Sequence, residues 1–257
     1  MRGESRARVM GCQKDPPLNQ SGSAIAVMAK RPKPGKVKTR LCPPLTPRQA
    51  ADLYEAFLLD TVGLASGIPE ADLFMACDPD NATSRNFFSR TLAGPVECIP
   101  QGTGDLGVRL SRLSRRLFSR EYRKLIILAS DVPHLPQDCI RRAFRQLDEN
   151  DVVLGPCDDG GYYLIGSRVH AAVLFEGIPW STSRVLDRTI GRAEDAGLAW
   201  ELLPSCYDID TKEDLMRLVT DLDAVHGGNP VMCPRTKEAL AALAPALIGD
   251  TGVLEPR

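Results

Sequence analysis

The chain has 257 residues, 43% of them hydrophobic, which is enough to bury one large core, so a single α/β domain is the default organisation. A formal net charge of -1 and a sequence pI of about 6.3 give no global attraction to nucleic acid or to an anionic membrane. No stretch reaches the roughly 18 consecutive apolar residues of a transmembrane helix, so the expected partner is a small molecule.

Residues 1–22 are polar, lack the apolar stretch of a signal peptide and read as a disordered tail, which predicts a cytoplasmic protein. The folded domain is expected over 23–227, followed by a C-terminal extension over 228–257. The first element, 24–29, is continuously apolar, as in a strand buried on both faces of a parallel sheet. At its carboxyl end, where open α/β sheets bind ligands, six cations fall within eleven residues: Lys30, Arg31, Lys33, Lys36, Lys38 and Arg40. Pro32 and Pro34 stiffen this run, Gly35 permits close backbone approach, and Thr39 adds a hydroxyl. Val37 follows Gly35-Lys36 where a Walker loop needs Ser or Thr, so the run reads as a phosphate-binding loop of another kind, with a solvated basic turn as the alternative.

A helix is predicted over 47–66, capped by Thr46, then a strand over 71–77, a helix over 81–90 and a strand over 95–100. Asp78-Pro79-Asp80 has metal-ligand spacing but reads more simply as a turn into a helix. QGTGDLGVRL opens the next helix, 106–120. Gly104, Asp105 and Arg109 lie at its start, where the helix dipole favours an anion, and are candidate phosphate contacts. The most apolar strand, 124–130, ends at Asp131, whose carboxylate could hold a divalent cation jointly with phosphate oxygens; an ordinary helix cap is the alternative.

A helix over 136–147 and a strand over 151–155 lead to Asp158-Asp159-Gly160-Gly161-Tyr162-Tyr163. Asp159 there is a candidate base or acceptor-orienting group, with Gly160, Gly161 and Tyr162 on the acceptor side; a two-glycine turn explains the glycines equally well. Further elements are a strand over 162–166, a helix over 183–196 and a strand over 199–203. Asp208 and Asp210 follow, either of which could complete a metal site with Asp131, before a helix over 212–226 capped by Thr211 and Asp214; helix capping explains Asp210 and Thr211 equally well. A last helix is expected over 234–247. Strands alternating with helices predict a mostly parallel sheet covered on both faces. Eight cysteines without C-x-x-C spacing read as reduced and mostly buried, and three scattered histidines form no ligand set.

The stretches MAKRPKPGKVKTRL, QGTGDLGVRL, SDVPHLP, GPCDDGGYYLIG, IPWSTSRVLDRT and DIDTKEDL, in this order over about 24–222, resemble the cofactor-biosynthesis-like transferases of glycosyltransferase-A-like (GT-A) fold. That family is associated with radical SAM, selenium and arsenosugar genes. It is similar in turn to 2-phospho-lactate guanylyltransferase and the molybdenum-cofactor guanylyltransferases. The resemblance implies a Rossmann-like nucleotide-diphospho-sugar transferase fold. It also implies that the loop carrying Lys30, Gly35, Lys38 and Arg40 contacts nucleotide phosphates, and that Asp131 binds metal with Asp210, with or without Asp208. Asp159 would lie by the acceptor. Lys212 stands where proline is common and Ala129 where glycine is common, and neither change removes a chemical group.

The expectation is a Mg²⁺- or Mn²⁺-dependent transferase acting on a nucleotide or nucleotide sugar and a small acceptor, with Lys38, Asp131 and Asp159 carrying catalysis. The resemblance favours glycosyl transfer by a narrow margin, whereas the clustered cations fit a triphosphate and nucleotidyl transfer. A nucleotide-binding regulator without turnover is the third reading; several carboxylates beside a phosphate loop argue against it. Nothing in the sequence specifies an oligomeric state.

Overall fold

The computed structural model describes residues 22–91, 96–224 and 233–248. Its sheet has seven strands: β1 (Ser23–Lys30), β2 (Ala71–Asp78), β3 (Glu97–Pro100), β4 (Lys124–Leu128), β5 (Val152–Pro156), β6 (Tyr162–Ser167) and β7 (Trp200–Leu202), in the order β3-β2-β1-β4-β6-β5-β7. Every adjacent pair is parallel except the two that involve β6, which runs antiparallel to both β4 and β5. Six strands therefore deliver their carboxyl ends to one edge, and β6 starts there. The mostly parallel sheet expected from the sequence is the one found.

The helices are α1 (Pro47–Ser66), α2 (Ala82–Thr91), α3 (Leu106–Phe118), α4 (Gln137–Gln146), α5 (Val185–Asp195), α6 (Lys212–Ala224) and α7 (Pro234–Ile248). The predicted end of α6 at 225–226 lies outside the described residues, as do the tail 1–21 and Cys12. Short 3₁₀ turns at Thr39–Leu41 and Ala172–Phe175, which the periodicity does not reveal, complete the list.

Alternation of side chains along the strands divides the core in two. Ile25, Val27, Met75, Ile126 and Leu128 face α1, α2 and α4 through Leu58, Val62, Phe88 and Ile140. Ala24, Ala26, Phe74, Leu125 and Ile127 face α3 and α5 through Leu110, Leu113, Leu117 and Ala193. A third cluster joins the outer side of α1 to α6 and α7, and includes Val37, Leu41, Leu53, Phe57, Ile209, Leu215 and Leu240. Burial of this kind contributes roughly 1.5–3 kcal/mol per large side chain. Part of the segment expected as an extension, Pro234–Ile248, is thus packed directly against α1.

A polar anchor fixes that packing. Asp60, inside α1 and only 5% exposed, accepts hydrogen bonds from the backbone N–H groups of Arg235 (3.2 Å) and Thr236 (2.7 Å) in the first turn of α7. Those are groups that a helix N-terminus leaves without internal partners. Asp60→Ala should cost about 2–4 kcal/mol of stability in urea denaturation, with Asp60→Asn intermediate. An unchanged midpoint would mean that α7 docks through apolar contact alone.

Candidate active site

The chemistry-bearing residues gather at the carboxyl edge of the sheet. β1 ends at Lys30, whose N–H donates to Tyr54 Oη (3.1 Å); that hydroxyl also pairs with Ser130 Oγ at 2.8 Å, tying the start of the basic loop to the residue before Asp131. Arg31 N–H donates to the Asp78 carbonyl at 2.7 Å. Gly35, at φ +70°, turns the loop, and Lys36 N–H closes the turn on the Lys33 carbonyl (3.0 Å). Val37 and Leu41 then plunge into the third cluster beside Ile209, pinning the loop on both sides of Lys38.

Lys38 itself adopts a left-handed backbone conformation, φ 45° and ψ 41°, which costs a non-glycine residue about 1–2 kcal/mol. Its Nζ donates to Asp131 Oδ2 (3.0 Å) and Asp210 Oδ1 (2.7 Å), and its side chain is 6% exposed. Burial alone would favour the neutral amine; the two carboxylates more than reverse that and hold the pKa above its usual value. Asp210 also faces Arg40 at 3.4 Å. Burial pushes its carboxyl up, but Lys38 and then Arg40 prevail and lower it.

The backbone at 208–211 is fixed from two sides. Ile209 N–H donates to the Asp131 carbonyl (3.1 Å), and Asp214 Oδ2 accepts from the N–H groups of Asp210 (3.1 Å) and Thr211 (2.8 Å). Asp214 N–H in turn donates to Thr211 Oγ1 at 3.3 Å, so the acidic capping box read from the sequence is formed.

Asp208 completes the group. Ligand oxygens of Asp131, Asp208 and Asp210 lie within 4.8 Å of one another, and a second set, Cys157, Asp159 and Asp208, is equally close. Asp208 makes no ion pair among the described residues; burial, then the carboxylates of Asp131, Asp159 and Asp210, raise its pKa to about 6. A partly buried carboxylate surrounded by others and left without a counter-cation fits a divalent ion, and the all-oxygen set Asp131, Asp208, Asp210 suits Mg²⁺ or Mn²⁺. Burial, followed by the Asp208, Asp131 and Asp159 carboxylates, also raises the Cys157 thiol far above its ordinary range.

The 157–161 segment is the turn of the β5–β6 hairpin. Asp159 Oδ1 accepts from Gly161 N–H at 2.8 Å, and Gly160, at φ +85°, passes so close to the Ser183 backbone that a Cβ would sit 2.2 Å from its carbonyl oxygen. Both the turn and the close approach require glycine here. Asp158 pairs with Arg217 at 2.7 Å, and that guanidinium stacks 3.8 Å from the Tyr207 ring centroid. Tyr162 departs from the acceptor-side expectation. As the first residue of β6 it turns its ring into the second core cluster, edge-on to Trp180 at 6.4 Å, with its hydroxyl buried.

The loop after β3 holds its own contacts. Gln101 Nε2 donates to the carbonyls of Ala29 (3.2 Å) and Ala76 (2.8 Å), clamping the ends of β1 and β2. Arg109 reaches Gly104 O (3.0 Å) and Asp78 Oδ2 (3.3 Å). Asp105 is the N-cap of α3 and accepts from Val108 N–H (2.9 Å), so its own carboxylate is the anion at this helix terminus, a correction to its reading as a phosphate contact. Thr39 and Arg40 are exposed at the 3₁₀ turn. Sequence reasoning missed Tyr54, Ser130, Gln101 and Cys157. Each lacks a local signal, since the first three act through contacts 24 to 76 residues away, and Cys157 reads as one more buried thiol.

The raised pKa of Asp208 sets a sign for stability. An unfolded aspartate has a pKa of about 4, so between that value and about 6 the folded chain holds the extra proton, and stability falls as pH rises through this window. With chelator present, Asp208→Asn should raise Tm above pH 6, with the gain fading as pH falls toward about 4. A gain independent of pH would contradict this electrostatic account.

Comparison with known proteins agrees with the fold. Residues 61–182 match the family described as "Uncharacterized protein conserved in bacteria (DUF2064)". A crystal structure from Desulfovibrio desulfuricans G20, provisionally assigned as a nucleotide-diphospho-sugar transferase, is 30% identical, with a TM-score of 0.81 over 90% of this chain and 98% of that one. The 2-phospho-L-lactate guanylyltransferase of Methanothermobacter thermautotrophicus is 26% identical over 192 residues, covering 74% of this chain and 81% of the relative. A 4-diphosphocytidyl-2C-methyl-D-erythritol synthase from Anaerococcus prevotii shares the fold at a TM-score of 0.53 and 11% identity, covering 79% of this chain and 97% of its own. No helix among the described residues is long and apolar enough to cross a membrane.

Proposed function

The chain belongs to the bacterial family designated DUF2064 and is a transferase; from that premise we propose that it joins the nucleotide part of a nucleoside triphosphate to a small phosphorylated acceptor. The carrying observation is a division within the basic loop. Lys38 and Arg40 engage the carboxylates, whereas Lys30, Arg31, Lys33 and Lys36 form no ion pair among the described residues. Four uncommitted cations suit the greater charge of a triphosphate. The named guanylyltransferase relative supports the same reading and makes GTP the first donor to try.

In this reading an acceptor phosphate oxygen attacks the α-phosphorus, a new P–O bond forms, the bond to the bridging β-phosphate oxygen breaks, and pyrophosphate leaves. The loop cations bind and orient the phosphates. Lys38 holds Asp131 and Asp210 in place beside them, while Asp159 stands on the acceptor side. Asp131, Asp210 and Asp208 would hold Mg²⁺ or Mn²⁺, which supplies Lewis-acid stabilisation of the transferring phosphoryl group. Catalysis rests on positioning and charge, with no covalent enzyme intermediate.

The provisional assignment of the Desulfovibrio protein favours a second reading, glycosyl transfer from a nucleotide sugar with release of a nucleoside diphosphate. A thermal-shift panel of triphosphates and nucleotide sugars, each with and without Mn²⁺, separates the two, because a ligand that binds the native state raises Tm. Metal-dependent stabilisation by a triphosphate and none by its sugar derivatives is the expected result; the reverse would replace nucleotidyl with glycosyl transfer.

Lys38→Met and Asp131→Ala should each lower turnover by about 10²–10³-fold. Full activity in Asp131→Ala would remove that residue from the metal set.

A further inference from the structure

The set Cys157, Asp159 and Asp208 shares Asp159 and Asp208 with the transfer reading above, whereas Cys157 has no part in it. We propose that it is a second cation site, on the hairpin side of the cluster, that takes a thiophilic divalent metal of the Zn²⁺, Co²⁺ or Cd²⁺ class.

Three observations carry this. First, the donor chemistry differs from that of the neighbouring set: one sulfur and two carboxylates converge within 4.8 Å, against three carboxylates around Asp131. A thiolate ligand selects softer metals, whereas an all-oxygen set suits Mg²⁺ or Mn²⁺.

Second, the Cys157 side chain is aimed at the carboxylates and has no other partner. It is 8% exposed, and its Sγ makes no hydrogen bond among the described residues. By contrast, Cys206 Sγ lies 3.3 Å from His134 Nε2 and Cys77 Sγ donates to the Met75 carbonyl. A buried sulfur with no hydrogen-bond partner, facing two carboxylates, is a ligand that a divalent cation would convert to thiolate on binding.

Third, the backbone presenting these groups is braced. Cys157 N–H donates to Gly161 O, Gly160 N–H to Cys157 O, Asp158 N–H to Cys206 O and Cys206 N–H to Pro156 O, each at 3.0 Å. The hairpin turn and the segment leading to Asp208 are thereby held together before any ion arrives. Asp208 belongs to both sets, so its carboxylate would bridge two ions of different character.

The test is Co²⁺ titration of the full chain, followed by ultraviolet absorption and by equilibrium dialysis. Wild type should develop a thiolate-to-cobalt charge-transfer band as it takes up metal. Cys157→Ser should lose the band and one equivalent of bound Co²⁺, while Cys206→Ser keeps both. Circular dichroism of each variant reports folding separately. Absence of the band in wild type at saturating Co²⁺, or its persistence in folded Cys157→Ser, would overturn the assignment. Loss of Mg²⁺-dependent turnover does not enter this readout, so the transfer reading and this one fail independently.

Discussion

The ammonium of Lys38 is the contact on which the site depends. It bridges two carboxylates that are distant in sequence, Asp131 after β4 and Asp210 before α6, and it does so from a left-handed backbone that would not persist without compensation. The compensation is apolar. Val37 and Leu41 flank the lysine, Ile209 flanks the aspartate, and all three are buried in one cluster. Charge geometry at the surface of the sheet is thus set by packing beneath it. Removing the lysine would leave Asp131 facing Asp208 and Asp210 with only the exposed Arg40, 3.4 Å from Asp210, to offset their charge, a loss felt in stability.

Much of the fold was legible because it rests on periodic signals. The run 24–29 is apolar at every position and is β1; the stretch 47–66 carries Thr46 and a 3.6-residue stripe and is α1. Strand ends marked by abrupt polarity, such as Asp131 after KLIIL, pointed to the correct edge of the sheet. The direction of β6 was hidden, since a six-residue apolar strand looks the same whichever way it runs and only its hydrogen-bond partners fix the sense.

In the site the division is similar. Lys38, Asp131, Asp208 and Asp210 stand next to buried strands or helix caps, where a charged residue is conspicuous, and the structure brings them together. Tyr162 misled because a tyrosine after two glycines suggests an exposed ring, whereas alternation along β6 sends it inward and Tyr163 to the opposite face. Tyr54 was hidden for the converse reason: a tyrosine in the apolar stripe of a helix reads as core, and only tertiary contact reveals its hydroxyl between Lys30 and Ser130.

The sense of the strands has a practical corollary. With all chemistry delivered to one rim, the turns at the other rim, among them 67–70, 119–123, 147–151 and 196–199, join elements without carrying any of the polar groups discussed above. They are the natural places to graft a reporter, split the chain or move its termini, because an insertion there lengthens a surface connection at small entropic cost and leaves the loops of the opposite rim untouched.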